Sequence, residues 1–406
     1  MKYLILGAGP AGLSFANKLK KMGIDDFLVL EKECEAGGLC RSIYMDDGPL
    51  DIGGGHFLDV RNQKVNDFLF NYMPEEEWNK FKRNSLIKIK NSLISHPIEG
   101  NIWQFDLNTQ VEYLKSIAVA GCNIEKEKPT KFIDWIYWKL GERIAGDYMI
   151  PYNKKMFGEE LNNLGTYWLE KLPNVSFEET LLSCIQKKAY GKQPGHAEFF
   201  YPKKYGYGEL WLRMGECIKK NILYNKEIRK IDLDSHIVTT ADNCEYYGDI
   251  IITTIPWTEF ETIDGLPKNI ASNIDELKYS SIQIEYINKN LDTDAHWIYI
   301  PDEEVAYHRI LVRHNFCPNS AGYWTETNSD RIGKKQERPE EYNFLNKYAY
   351  PLNTIDKPDI MTSLLSFCQK KKVFGLGRWG EHQHYNSDVT VEKALKLAEV
   401  LENEEE

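Results

Sequence analysis

Residues 2–31, KYLILGAGPAGLSFANKLKKMGIDDFLVLE, decide the fold. Lys2 to Leu6 reads as a short apolar strand, and Gly7-Ala8-Gly9-Pro10-Ala11-Gly12 follows it without a break. A helical pattern then carries Leu13, Phe15, Leu19 and Met22 to Gly23, a suitable C-cap. Phe27 to Leu30 forms a second strand that ends on the acid Glu31, with Lys32 next to it. A GxGxxG run is a dinucleotide fingerprint only in this order of strand, turn, helix, strand and acid. Gly7 permits the tight turn, Gly9 lets a pyrophosphate approach the backbone, and Gly12 lets helix and strand pack closely. Pro10 and Ala11 stand at a helix N-terminus, whose free N–H groups and positive dipole end favour phosphate. Glu31 is placed to accept hydrogen bonds from a ribose hydroxyl pair.

The rest of the chain sets limits around this unit. Its 406 residues suggest two to three domains, and 42% hydrophobic with 27% charged residues is a globular mixture. Fifty Lys plus Arg against sixty-one Asp plus Glu gives 50 − 61 = −11, a balance that disfavours non-specific binding to nucleic acid or anionic membranes. An anionic ligand must therefore be captured by a local positive pocket. No apolar run approaches the roughly 20 residues of a bilayer span. Met1 leads directly into a strand, so no secretory signal is expected. Eight scattered cysteines without a CxxC pair predict a reducing, cytoplasmic setting and no zinc ribbon. His382 and His384 alternate, but with no acid or Cys ligands at suitable spacing no metal site is expected. The 24 Tyr, 17 Phe and 10 Trp either build a large core or line pockets for flat ligands.

Two further glycine clusters follow the acid. Glu35-Ala36-Gly37-Gly38-Leu39-Cys40-Arg41-Ser42 is one and Asp51-Ile52-Gly53-Gly54-Gly55-His56 the other. Such runs bring bare backbone against a flat ring. Here the chain resembles the FAD-binding amine-oxidase and protoporphyrinogen-oxidase superfamily, with its GGLxxS and DxGGH signatures. Two distant stretches agree with that resemblance: Asp249 to Pro256, similar to a D-x-V-I-x-T-x-P strand, and Gly375 to Gly380 before a helix from Val389 to Leu401. The resemblance implies an FAD site formed by the residues named above together with Gly38, Leu39, Arg41, Gly54, Gly55, His56, Ile228, Gly377, Arg378, Asn386 and Asp388.

Residues 105–172 carry helix-period patterns, whereas 197–204 and 278–314 alternate like strands. The charged stretch Arg331 to Glu341 reads as a surface excursion, and Glu402 to Glu406 as a solvated tail. The expected fold class is α/β: a discontinuous Rossmann-like FAD-binding domain (1–60, 205–260 and 362–406), a helical insertion (100–172) and an antiparallel β-sheet substrate domain (61–99, 173–204 and 261–361).

Within the superfamily, several motifs resemble UDP-galactopyranose mutase. They are Asp147 to Gly158 followed by Trp168 to Pro173, Phe199 to Trp211, Trp297-Ile298-Tyr299 with Arg309 ten residues after Tyr299, Tyr350-Pro351, His384 to Asp388, and Arg83-Asn84-Ser85 with His96-Pro97 and Asn101-Ile102. The resemblance implies that reduced FAD, through its N5, acts as nucleophile on a nucleotide-activated sugar and interconverts its pyranose and furanose forms. NADH or NADPH would be the reductant, and the assembly would be a monomer or a homo-oligomer. It further implies that Arg309, Tyr299, Tyr350 and His384 hold the diphosphate, with Trp297 beside them. Tyr152, Asn153 and Phe157 would bound the uridine, and His56 would lie over the flavin, so that His56 and Arg309 are the catalytic candidates. Three departures bear on the sugar and the nucleotide. Lys171 to Ser176 offers a lysine where the family uses a loop arginine, His96 to Asn101 replaces the family's YPFQNN, and Asp51 to His56 has one extra glycine. Two other functions fit the fold: an FAD-dependent oxidoreductase of the amine-oxidase or protoporphyrinogen-oxidase type, and a flavoprotein that holds FAD as a structural ligand.

Overall fold

The structure, a computed structural model, describes residues 1–121, 123, 126–169, 172, 175–190, 197–332 and 342–403. Lys171, Pro173 and Asn174 of the anticipated loop, most of the Arg331–Glu341 excursion and the last three glutamates lie outside the described residues, as does Cys122.

A five-stranded parallel sheet runs in the order Ile222–Leu223, Phe27–Leu30, Tyr3–Leu6, Ile250–Thr253, Val373–Gly375. Ile5 pairs with Val29 on one side and Ile252 on the other. These strands come from the start, middle and end of the chain. Tyr3–Leu6 and Ile250–Thr253 are buried throughout, as continuous apolar runs in a doubly covered parallel sheet should be. Tyr3, Ile5, Val29 and Ile252 share a core with Leu13 and Phe15 of helix Pro10–Lys21, Leu210 and Met214 of helix Gly208–Cys217, and Val391 and Leu395 of helix Ser387–Asn403. Leu4, Leu6, Leu30 and Ile251 pack on the other face against Ile360 and Leu364 of helix Lys357–Lys370 and against Ile228, Ile231 and Val238.

A seven-stranded sheet runs in the order Asn343–Pro351, Tyr279–Ile287, Tyr323–Asn328, Arg309–Leu311, Trp297–Tyr299, Ser85–Ile89, Ser92–Ser95. It is antiparallel apart from one joint. Ser85–Ile89 arrives from the N-terminal part of the chain and lies parallel to Trp297–Tyr299, with Ser85 opposite Trp297. One register row sets Tyr299 against Arg309 and Arg309 against Glu326. Directly paired residues project to the same side of a sheet, so these three side chains share a face. A separate antiparallel trio holds Glu198–Pro202 between Leu58–Asp59 and Trp78–Lys82.

The helical unit contains Leu107–Gly121, Phe132–Ile144 and Ile150–Phe157, the last two joined by a π turn at Ala145–Met149. Phe132, Trp135, Ile136 and Tyr148 form its core together with Ile87 and Ile94 of the seven-stranded sheet. Helix Phe177–Gln186 starts with a capping box in which the Ser176 hydroxyl accepts the Glu179 N–H and the Glu179 carboxylate accepts the Ser176 N–H. This helix packs on Leu107–Gly121, so part of the 173–204 stretch adjoins the helical unit rather than the sheet.

Candidate functional site

The glycine turn is closed by the Gly7 N–H donating to Leu30 O at 2.8 Å. A Cβ at Gly12 would stand 2.0 Å from Gly7 O, so only hydrogen fits there. Gly9 differs: the nearest atom to an added Cβ is the Gly38 Cα at 3.9 Å, leaving bare backbone open to a ligand. Glu31, only 6% exposed, accepts the Ala8 N–H at 2.7 Å and the Glu33 N–H at 2.9 Å. Burial raises its pKa, and the two N–H groups pull the other way.

A cavity of about 330 Å³ opens in front of these groups. Of the residues expected to hold the cofactor, it is lined by Gly7, Gly9, Pro10, Ala11, Glu31 and Lys32 from the first unit, Gly38, Leu39 and Arg41 from the second, and His56, Ile228 and Arg378 from afar. Arg41 is braced by Gly38 O at 3.1 Å and by the Glu33 carboxylate at 3.1 Å. Three expected residues stand behind the wall. Gly12 packs on Gly7, Gly377 lies against Ala11, and Asp388 is buried in the first turn of helix Ser387–Asn403. Thr254, Glu259 and the Leu345–Tyr348 strand segment also line it, and none of them was among the expected cofactor residues.

A second cavity of about 170 Å³ shares His56, Arg378 and Ser387 with the first, so the two adjoin at these residues. Trp297, Tyr299, Arg309, Tyr350 and His384 line it, as do Gly54, Gly55 and Asn386, which were assigned to the cofactor. Tyr152, Asn153 and Phe157 do not line it. Tyr152 packs edge-on to Tyr299 at 5.3 Å within the helical core, Phe157 packs into the same core, and the Asn153 amide donates to Met149 O at 2.7 Å. Two residues that sequence reasoning left out of the site join it: Glu326 through the register row, and Arg83, just before the strand Ser85–Ile89, as part of the lining.

Arg309 donates through Nε to Glu326 Oε2 at 2.8 Å and through Nη2 to the Tyr350 hydroxyl at 3.4 Å. Glu326 is fully buried, and its Oε1 accepts the Gly55 N–H at 3.1 Å. Burial pushes its pKa up, but Arg309, the nearby His308 and the Gly55 N–H more than offset this and hold it at about 2. Arg83 donates to Ser85 Oγ at 2.9 Å and to the Tyr299 hydroxyl at 3.0 Å, with its guanidinium 4.8 Å from the Trp297 ring centre. Trp297 Nε1 also donates to the Tyr299 hydroxyl, at 3.0 Å. A phenol that accepts twice keeps its own O–H to donate. Arg378 donates to Tyr385 O at 3.0 and 2.7 Å and to Ala349 O at 3.1 Å, and burial lowers its pKa. Among the described residues no carboxylate pairs with it, so its charge faces the junction of the two cavities.

The His56 Nδ1 lies 2.9 Å from Gly54 O, which assigns the ring proton to Nδ1. Burial, and then Arg378, lower its pKa to about 4, so the ring is neutral at pH 7. His384 packs on Tyr350 at 4.8 Å. His382, two residues earlier, contacts Lys278 O through Nε2 and points elsewhere. A small cavity with three guanidiniums and two phenols is suited to a multiply charged oxyanion.

Residues 5–72 match the family of NAD(P)-binding Rossmann-like domains. Over 99% of this chain and 94% of the other, the structure is similar to that of reduced UDP-galactopyranose mutase, with a TM-score of 0.89 at 19% identity. It is also similar to wild-type putrescine oxidase bound to putrescine, with a TM-score of 0.64 at 13% identity over 99% of both chains. A CLA-producing fatty acid isomerase from P. acnes gives 0.65 at 12% over 98% of both. These likenesses show that the chain shares the fold of these proteins. No helix among the described residues is long and apolar enough to cross a membrane.

Proposed function

We propose that the chain binds FAD in the larger cavity and acts as a flavin-dependent mutase, interconverting pyranose and furanose forms of a nucleotide-activated sugar. The observation that carries this reading is the smaller cavity. It adjoins the larger one at His56 and Arg378 and is lined by Arg83, Arg309, Arg378, Tyr299 and Tyr350.

The larger cavity suits FAD because Gly9 leaves bare backbone at a helix N-terminus, where a pyrophosphate binds. The chemistry that reduced FAD supplies when bound is a nitrogen nucleophile for the anomeric carbon of the sugar. The chain's own contribution is to hold and release the diphosphate. Arg309 offers a planar fork that stays charged, with its orientation fixed by Glu326. Tyr299 and Tyr350 give phenolic hydrogen bonds to oxygens that gain charge as the sugar–phosphate bond breaks. Neutral His56 adds a polar contact between the cavities without a further positive charge. NADH or NADPH is the proposed source of electrons.

The test is turnover of UDP-galactopyranose by FAD-loaded protein in its reduced and oxidised states, with the sugar products separated chromatographically. Furanose formation by the reduced protein alone supports the proposal. Anaerobic bleaching of oxidised flavin by an amine or a carbon acid, with no isomerised sugar, would establish the oxidase alternative instead.

A further inference from the structure

We infer that Arg83 is the second phosphate-gripping cation of this site, supplied by the two-residue link between strands Trp78–Lys82 and Ser85–Ile89. The inference rests on the nucleotide-sugar proposal above and names a residue for it. The two arginines flank one strand. Arg83 precedes Ser85–Ile89 and Arg309 opens Arg309–Leu311, and both strands hydrogen-bond to Trp297–Tyr299 between them. Neighbouring strands lie about 4.8 Å apart, so the two strand axes are roughly 10 Å apart, and Arg83 is also offset along them, because Ser85 pairs with Trp297 whereas Arg309 pairs with Tyr299. Each guanidinium is joined to a phenol, Arg83 to Tyr299 and Arg309 to Tyr350, and all four side chains line the same cavity of about 170 Å³.

Arg309 alone is a weak anchor for two phosphates. Its charge is shared with the buried, ionised carboxylate of Glu326, which leaves little net field for a ligand. Arg83 places a further guanidinium on the same cavity. Arg83 is also held in position: Ser85 Oγ, the Tyr299 hydroxyl and His96 Nδ1 at 3.3 Å fix its edges, and the Trp297 ring fixes its plane. Burial, and then Arg83 itself, push the His96 pKa well down, so His96 is a neutral neighbour and adds no repulsion. The grip is thus formed before the substrate arrives.

The experiment titrates FAD-loaded native, Arg83→Met, Arg83→Lys and Arg309→Met proteins with UDP, UMP and inorganic pyrophosphate, read by calorimetry. For Arg83→Met the dissociation constant of UDP should rise about 10- to 100-fold, the loss of one or two charged hydrogen bonds, and that of UMP should rise less. Arg83→Lys should recover part of the UDP affinity, because it keeps the charge without the fork. The difference between diphosphate and monophosphate is a readout that a purely structural role would not move. If Arg83→Met binds UDP as tightly as native protein while Arg309→Met does not, the inference is overturned and the nucleotide-sugar proposal survives. Equal weakening for UDP and UMP overturns it as well. If native protein binds none of the three, the nucleotide-sugar proposal itself fails. Should Arg83→Met not fold, the UDP-to-UMP selectivity of Arg83→Lys decides: a selectivity below native supports the inference, and an unchanged one overturns it.

Discussion

Arg309 and Glu326 stand opposite each other on neighbouring antiparallel strands, and the Glu326 carboxylate accepts the Arg309 Nε–H at 2.8 Å while its other oxygen accepts the Gly55 N–H. One buried carboxylate therefore positions both Arg309 and the glycine loop that carries His56. Removing one partner of a buried pair leaves the other charge uncompensated. Glu326→Ala is expected to lower the unfolding free energy by about 3 kcal/mol, measured by urea denaturation. Glu326→Gln keeps an acceptor for Gly55 and should cost less. It should also bind pyrophosphate more tightly than native protein, because Arg309 is then no longer neutralised.

The two inner glycines of the fingerprint should fail in different ways. A Cβ at Gly12 meets Gly7 O at 2.0 Å, so Gly12→Ala should destabilise the fold by about 1–3 kcal/mol through overpacking. Gly9→Ala meets nothing closer than 3.9 Å and should leave the melting temperature of flavin-free protein unchanged. It should nevertheless lower the flavin-to-protein ratio, because the methyl occupies the approach to the backbone. Thermal melts with flavin absorbance on the same samples check both.

Asp51 gives the stability a pH dependence. It is fully buried under the second glycine cluster, and burial raises its carboxyl to about 7, against the pull of Ser42, Tyr201 and the Tyr207 N–H. Unfolded, it titrates near 3.9, so the native state holds the proton more tightly. Its contribution is complete below about pH 4 and is lost as pH rises through 7. Glu99, also raised to about 7 by burial, acts in the same sense. These two carboxyls therefore contribute a fall in stability between about pH 5 and 8, opposed below about pH 6.5 by buried histidines such as His56 and His96. Asp51→Asn should remove the Asp51 part, a few kcal/mol relative to native protein at about pH 8. Unfolding free energies at stepped pH provide the check.

The cofactor cavity was legible where the chain is continuous. Gly7 to Glu31 is one strand-turn-helix-strand unit, and local rules are enough to place its residues. The distant pieces needed the resemblance, because periodicity alone does not say that Ile250–Thr253 lies beside Tyr3–Leu6. The second cavity was half legible: Trp297, Tyr299, Arg309 and Tyr350 stood out by spacing and line it. Arg83 was visible within Arg83-Asn84-Ser85 but had no assigned place, since only the parallel joint with Trp297–Tyr299 brings it to the site. Glu326 left one faint signal, an acid inside the otherwise uncharged strand Tyr323–Asn328, whose meaning depends on its register with Arg309. Tyr152, Asn153 and Phe157 lie away from the lining of that cavity. Their motif suggested a site, but a helical Asn bonds its own turn and aromatics at helical spacing fill a core.

The most direct test of the account is the flavin absorbance spectrum of dithionite-reduced, FAD-loaded protein titrated with UDP and a panel of nucleotide sugars, with the recovered sugar analysed after each titration. The account predicts a saturable spectral change with one nucleotide family and isomerised sugar without net oxidation. A reduced flavin spectrum unmoved by millimolar UDP and UDP-sugars, with every sugar recovered unchanged, would contradict it.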